Sequence, residues 1–521
     1  VSYTSKTVEK RGDTKNSSAR LAFVALAILV QIFWIMYLFI TLNDNYKWIS
    51  GLVKILSIVV VIVIYNSDRV ANIKLPWIIL ILVFPLMGLV FYIMVKYSGT
   101  TKNMKKRLQL SIDKCSIYLP RDRSIEAELK KEEKDIYNIS DYISRYSNYP
   151  LYGNTDIEYF SDALEAINMQ MKCMKEAKKF IFMSYFAIED ASIFAKIKAI
   201  LKEKIEKGVE VRVFYDDIGS VGFISNTQFI KEMKDLGIDC RVFNPVTPML
   251  NLFFNNRDHR KITVIDGEVA FTGGYNIADE YFNIVNPYGR WKDTGLMLRG
   301  DVVKELSVTF LETWNANRKS KLEEINDDKY FNVNKYEAKE RIYALAYGDS
   351  PLDDEELAEN VYISLINIAK DYLYIMTPYL IITDELKSAI VRAAKRGVDV
   401  RLITPGIPDK KIIYGITRSF YGVLVKAGVK IYEYTPGFCH AKQMLVDDRL
   451  AICGTINLDY RSLYLHFENA VMFTKCKAVF DMKKDFEETF KVSTHISEKY
   501  NNLSPVRNIV DSILRLFAPL L

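Results

Sequence analysis

Apolar residues are spread unevenly along the chain, and the first hundred positions hold three dense runs. Residues 21–41 form an apolar run with Gln31 as the one strongly polar interruption, residues 75–95 form a second run of that length, and between them lies Trp48–Tyr65, interrupted by Lys54. About 20 apolar residues are needed for a helix to cross a bilayer. The first and last runs are therefore expected to span, with Pro85 kinking the latter. The shorter middle run is read as a third span, a tilted short span or an interfacial helix. Trp77, Tyr92 and Tyr97 stand near run ends, as interface aromatics do. Residues 98–150 are polar and charged, and read as a linker or helical neck. Beyond them, short apolar runs alternate with segments of period 3.6. That pattern predicts α/β units around a largely parallel or mixed sheet.

The alternation occurs twice. The first half has a buried strand over 179–186, then a helix marked by Ile193, Ile197, Ile200, Leu201 and Ile205, then a strand after Gly208. The second has a strand over 372–377, a helix through Leu386, Ile390, Val391 and Ala394, then a strand after Gly397. Helix, glycine and strand recur over 236–243 and 427–434, the glycine closing each helix. Each half then carries one shared pattern. His259, Lys261, Asp266, Gly273 and Asn276 have the same spacing as His440, Lys442, Asp447, Gly454 and Asn457.

The apolar strands flanking Asp266-Gly267 and Asp447-Asp448 predict hairpins. Side chains alternate along a strand, so His and Lys two apart share a face. The aspartates fall on the opposite face and are expected to orient backbone and not to touch substrate. Ammonium and carboxamide donors suit phosphodiester oxygens. Two imidazoles, titrating near neutrality, can serve as nucleophile and as proton donor to a leaving alcohol. No metal is required by this scheme, no cofactor is expected, and no acidic cluster of metal-binding spacing is evident. The chain has 4 histidines, and two begin the repeated pattern. His466 and His495 lack such a motif, and His495 is expected at the surface.

Charge and cysteine usage refine the setting. The net charge is +6, but its cations cluster at Lys6, Lys10, Arg11, Lys15 and Arg20, and again at Lys96, Lys102, Lys105, Lys106 and Arg107. These clusters flank the apolar region, which favours anionic lipid over nucleic acid as partner. They also favour an even number of spans, with both ends and the catalytic part on the cytoplasmic face of the cell membrane. The six cysteines show no Cys-x-x-Cys pair and are read as free thiols in a reducing compartment. A cleaved signal peptide is not expected, because the first run is long and no small-residue cleavage site follows it. The chain starts at Val1, so a trimmed N-terminus is expected.

The two His-x-Lys-x4-Asp motifs, each with a following Gly-x-x-Asn, resemble the phospholipase D superfamily. The apolar N-terminal runs, Arg257–Lys261, Trp291–Thr294 and Asn457–Ser462 are similar to bacterial members that make cardiolipin. The resemblance implies a two-lobed, pseudo-symmetric α/β/α fold preceded by transmembrane helices, with one active site between the lobes. It implies a phosphohistidine on His259, with His440 protonating the departing glycerol and deprotonating the acceptor. Asp266 and Asp447 belong to the catalytic motifs, and Lys261, Lys442, Asn276 and Asn457 would bind phosphoryl oxygens. A carboxylate would orient each histidine, Asp293 for His259 and Glu468 for His440. Gly274 and Thr455 stand where serine is common in the family. The implied reaction moves a phosphatidyl group between two phosphatidylglycerol molecules, giving cardiolipin and glycerol. A nuclease, a hydrolytic phospholipase D, transfer to another acceptor alcohol, or a non-catalytic scaffold are the competing readings.

The expected organisation is a membrane region over 1–97, a neck over 98–150, lobes over 151–325 and 326–502, and a C-terminal helix over 503–521. In that helix Val506, Ile509, Val510, Ile513, Phe517 and Leu520 recur at helical spacing after the Ser504-Pro505 start signal. It is expected either at the membrane interface or as a last core helix.

Overall fold

The computed structural model describes residues 22–27, 29–34, 36–37, 41, 47–67, 71–96, 99–246, 255–317, 326–516 and 518–520. The N-terminal basic cluster, Tyr97, Phe517 and parts of the first apolar run lie outside these residues. The described parts of that run are largely helical.

The lobes carry the same sheet twice. The first has β1 (Thr155–Phe160), β2 (Phe180–Tyr185), β3 (Glu210–Asp216), β4 (Asp239–Phe243), β5 (Arg257–Asp258), β6 (Lys261–Ile265), β7 (Val269–Gly273), β8 (Arg290–Lys292) and β9 (Gly295–Gly300). The second has β10 (Tyr343–Asp349), β11 (Tyr372–Met376), β12 (Leu380–Ile381), β13 (Asp399–Pro405), β14 (Lys430–Tyr434), β15 (Gly437–Cys439), β16 (Gln443–Val446), β17 (Leu450–Gly454), β18 (Leu458–Asp459), β19 (His466–Thr474) and β20 (Ser493–His495). The sheet orders are β1-β9-β7-β6-β2-β3-β4 and β10-β19-β17-β16-β11-β13-β14-β20. Strand for strand these orders correspond, with β20 added at one edge. Each sheet is mixed, with β2-β3-β4 and β11-β13-β14 parallel and the hairpin side antiparallel.

The hairpins form at the predicted turns. Asp266 and Gly267 have φ 56° and 72°, and Asp447 and Asp448 have φ 52° and 54°, the left-handed pair that a tight hairpin demands. The Asp266 carboxylate accepts the amides of Lys178, Lys179 and Phe180 at 2.7–2.8 Å. Asp447 accepts those of Lys370, Asp371 and Tyr372 at 2.7–2.9 Å. Each aspartate thus ties its turn to the start of the neighbouring strand, as parity predicts. They are structural clamps. The resemblance implies a place for them among the catalytic residues, but both carboxylates are held by backbone donors at the far end of the hairpin.

One apolar core runs through both lobes, joining Phe182, Val264 and Leu296 of the first sheet to Leu345, Leu445 and Val471 of the second. The helix Val302–Ala316 lies in it, buried along nearly its whole length. The neck is three helices, Gly99–Cys115, Arg123–Glu132 and Lys134–Ser147. Leu108, Leu129, Ile136 and Ile143 sink into the same core, so the neck is packed against the lobes.

Among the described residues one helix, Trp48–Tyr65, is long and apolar enough to cross a membrane. The run over 75–95 is not one kinked span: it forms two shorter helices, Ala71–Val83 and Pro85–Lys96. The chain folds so sharply at Pro85 that a Cβ on Gly88 would lie 2.6 Å from the Ile81 Cα. Proline removes the amide that would continue the helix, and glycine permits the close approach.

Candidate active site

The strands leading into each motif are captured by the opposite lobe. β5 pairs with β19, setting Arg257 opposite His466 and Asp258 opposite Phe467. β15 pairs with β8, setting Phe438 opposite Trp291 and Cys439 opposite Lys292. The next amide continues each pairing: His259 N–H donates to Phe467 O at 2.9 Å, and His440 N–H to Lys292 O at 2.7 Å. Each histidine therefore enters the interface on a backbone ladder made with the other lobe.

That exchange decides the carboxylate partners. His259 Nδ1 lies 2.8 and 3.0 Å from the two oxygens of Glu468, and His440 Nδ1 lies 2.7 Å from Asp293 Oδ2. Both expected carboxylates orient histidines, but the assignments are crossed. The sequence expectation kept Asp293 with His259 and Glu468 with His440, within one lobe. The captured strands place each carboxylate across the interface instead. A carboxylate on Nδ1 favours the proton there, which leaves Nε2 as the unprotonated ring nitrogen.

The two copies differ in what supports these carboxylates. Thr455 donates its hydroxyl to Glu468 Oε2 at 2.5 Å. At the equivalent Gly274 a Cβ would sit 2.0 Å from Asp293 Oδ1, so Asp293 occupies the space of the missing side chain. Asp293 takes the Thr294 amide at 3.0 Å in place of a hydroxyl.

Lys261 and Lys442 are buried beneath their histidines. Each ammonium donates to the carbonyl of its own motif's histidine, and Lys442 Nζ is also 2.9 Å from both ring nitrogens of His440. Asn276 and Asn457 reach the cavity. Asn276 Oδ1 accepts the Ala187 amide and its Nδ2 donates one hydrogen to the Tyr281 hydroxyl, leaving one amide hydrogen for a ligand. The Asn457 oxygen is buried without a hydrogen-bond partner.

Burial dominates the electrostatics. It pushes His259 well below the ordinary imidazole value, helped by the nearby lysines, and His440 down to about 4. It pushes Lys261 down to about 7 and Lys442 to about 8. For Asp293 burial acts upward, but His440 and Lys442 outweigh it and hold the carboxyl below the usual range. Desolvation thus keeps both imidazoles neutral at neutral pH, as a nucleophile and a base require.

The cavity between the lobes has a volume of about 400 Å³. Its walls include residues that sequence reasoning did not single out for the site. Phe186 stands edge-on to His259, 5.0 Å between centroids. Tyr281 and Trp291 each lie 5.3 Å from the His440 ring, and Phe438 lies 5.8 Å away. His466 also lines the cavity, 5.5 Å from His259. Both its ring nitrogens are buried without hydrogen bonds, and burial brings it down to about 3. A signal existed for it: His466 stands two residues before Glu468 on one strand, hence on the same face. His495 is exposed on the edge strand β20, stacked on Tyr432. Among the described residues, His259, His466 and Glu468 are the group able to hold a metal, with ligand atoms within 4.8 Å of one another. Their carboxylate already accepts from His259 and Thr455.

Paired imidazoles on a duplicated, two-lobed sheet, each with a carboxylate behind it and an ammonium beneath it, define a phospholipase D-type site. Comparison with known proteins places the chain further. The family described as "Cardiolipin synthase, PLD-like domain" matches residues 171–314 and 362–490, once in each lobe. "Phospholipase_D-nuclease N-terminal" matches residues 55–96. The chain is 40% identical over 462 residues to an uncharacterized protein of Streptococcus mutans, covering 88% of this chain and 99% of that one. It is 32% identical over 491 residues to a cardiolipin synthase of Halalkalibacterium halodurans, covering 93% and 97%. Among solved structures it is similar in fold to phosphatidylserine synthase of Haemophilus influenzae, with a TM-score of 0.54 at 16% identity, over 74% of this chain and 98% of that chain. The chain belongs to the cardiolipin synthase family of phospholipase D-like proteins.

Proposed function

We propose that this protein is a membrane phosphatidyltransferase that makes cardiolipin and glycerol from two phosphatidylglycerol molecules. The observation that carries the reading is the crossed pair of Nδ1–carboxylate contacts, which holds both histidines at one cavity. In the first step His259 Nε2 attacks phosphorus and the bond to the headgroup glycerol oxygen breaks. His440 Nε2–H gives its proton to that oxygen. Arrival of the phosphodiester anion favours the protonated form of His440 that this step needs. In the second step a terminal hydroxyl of another phosphatidylglycerol attacks phosphorus, His440 takes its proton, and the phosphorus–nitrogen bond breaks. Lys261, Lys442, Asn276 and Asn457 supply donors to the phosphoryl oxygens as charge builds. Exchange of one phosphodiester for another needs no nucleotide.

The aromatic walls around His440 suit a lipid acceptor and disfavour water there. The apolar helix Lys47–Tyr65, long enough to cross the cell membrane, would make a multi-pass anchor together with the first apolar run, with the shorter pair Ala71–Val83 and Pro85–Lys96 packed beside it. The cations following residue 96 put the lobes on the cytoplasmic face. The six cysteines, all free, accord with that compartment.

The test is reconstitution of the full-length protein with phosphatidylglycerol and a chelator, measuring cardiolipin, phosphatidic acid and glycerol together. Equal cardiolipin and glycerol, lost in both His259→Ala and His440→Ala, is the expected result. Phosphatidic acid in place of cardiolipin would make the protein a hydrolase, and no lipid product would overturn the reading.

A further inference from the structure

The C-terminal helix, Pro505–Leu516, is amphipathic in the reverse sense to a helix on a soluble protein. Its apolar side chains point away from the lobe: Val506, Ile509 and Ile513 are 71%, 62% and 53% exposed, and Val510 and Leu516 are exposed beside them. Its inward side carries Asp511, 2% exposed and ion-paired to Arg507 at 2.9 Å. Arg515 also faces inward and donates to Ser419 O at 3.2 Å. Leu514 is the apolar residue of this helix that packs against the core. A soluble surface helix buries its apolar stripe, and a contiguous exposed patch of this kind marks an interaction surface.

The surroundings specify the partner. The helix leans on Lys411–Ser419, and the short turn after it, Ala518–Leu520, packs against the apolar helix Ala71–Val83, with Ala518 buried. The helix therefore ends beside the membrane region. On its other flank Ile412 is 73% exposed, and the adjacent Lys410 and Ile413 line the cavity. We propose that the C-terminal helix lies in the lipid–water interface with Val506, Ile509, Val510, Ile513 and Leu516 inserted among acyl chains. It docks the cavity mouth onto the bilayer that holds the anchor helices. The Arg515 hydrogen bond to Ser419 O and the packing of Leu514 fix the helix to the lobe, so the protein surface presents a preformed lipid-facing edge. The inference stands independently of which reaction the cavity runs.

The test uses the full chain with Cys240→Ser and a fluorophore on Ile513→Cys or, separately, Val506→Cys, reconstituted in phosphatidylglycerol vesicles. Folding is checked by an unchanged melting profile. Strong quenching by lipids brominated on their acyl chains, with little quenching by iodide, is the expected result at both positions. Quenching by iodide alone would show a face in water and overturn the proposal. Protection from both quenchers would show a protein cover, such as a second copy, and would overturn it equally. Absence of cardiolipin production with the label still quenched by lipid would count against the proposed reaction and leave the docking intact.

Discussion

At the scale of residues, the crossed carboxylates give the two histidines separable failures. Asp293→Asn removes the charge behind His440, the proposed proton donor, and Glu468→Gln removes it behind His259, the proposed nucleophile. Both are expected to slow transfer by about 10²- to 10⁴-fold. A phosphodiester with a good leaving group, such as a nitrophenyl ester, needs no protonation on departure. It should restore the first step in Asp293→Asn and not in Glu468→Gln, read as the burst of leaving group. The opposite pattern would exchange the roles of the histidines. Gly274→Ala is expected to behave like Asp293→Asn, since its methyl would displace the Asp293 carboxylate. Slowed transfer from phosphatidylglycerol with the burst from the nitrophenyl ester retained, in a protein still folded, would report it. The lysines set the pH response. Their depressed values, about 7 and about 8, mean that ammonium charge is lost as pH rises through that window. kcat/KM should therefore fall on the alkaline side from pH 7 to 8, and a flat profile to pH 9 would contradict that origin.

At the scale of elements, the hairpins and parallel units were legible because strand periodicity, the glycines after helices and the turn aspartates all agreed. The clamp function of Asp266 and Asp447 was legible by parity alone. Removing either clamp leaves three strand-entry amides unpaired, and Asp447→Ala should destabilise the second lobe by about 2–4 kcal/mol. The measurement is a lower apparent Tm, together with activity recovered on cooling below the new transition. Unchanged Tm would mean that water satisfies those amides. The membrane elements were read less well. Hydropathy measures composition over a window and does not register a backbone reversal, so the bend at Pro85, with Gly88 against Ile81, looked like a kinked span. The middle run, judged marginal, supplies the longest apolar helix described.

At the scale of the whole molecule, the duplication and the two His-x-Lys pairs were legible because both are patterns in one dimension. The partner of each histidine was not. Asp293 and Glu468 are nearer in sequence to the histidine of their own lobe, and nothing in spacing reveals that β5 and β15 cross to the other sheet. His466 was overlooked for a related reason: it belongs to no motif, and only its place on the Glu468 strand brings it beside His259. Trp291 stands two residues before Asp293 as His466 stands two before Glu468, so equivalent positions carry an indole at one catalytic ring and an imidazole at the other. Two identical subunits joined about a twofold axis would have to place the same side chain at both positions. Because one polypeptide supplies both halves, each can change alone. A single chain can therefore give one histidine a permanent chemical identity different from the other's, through substitutions such as Thr455 opposite Gly274 and His466 opposite Trp291. The order of donor and acceptor steps can then be inherited as sequence and need not be chosen afresh at each turnover.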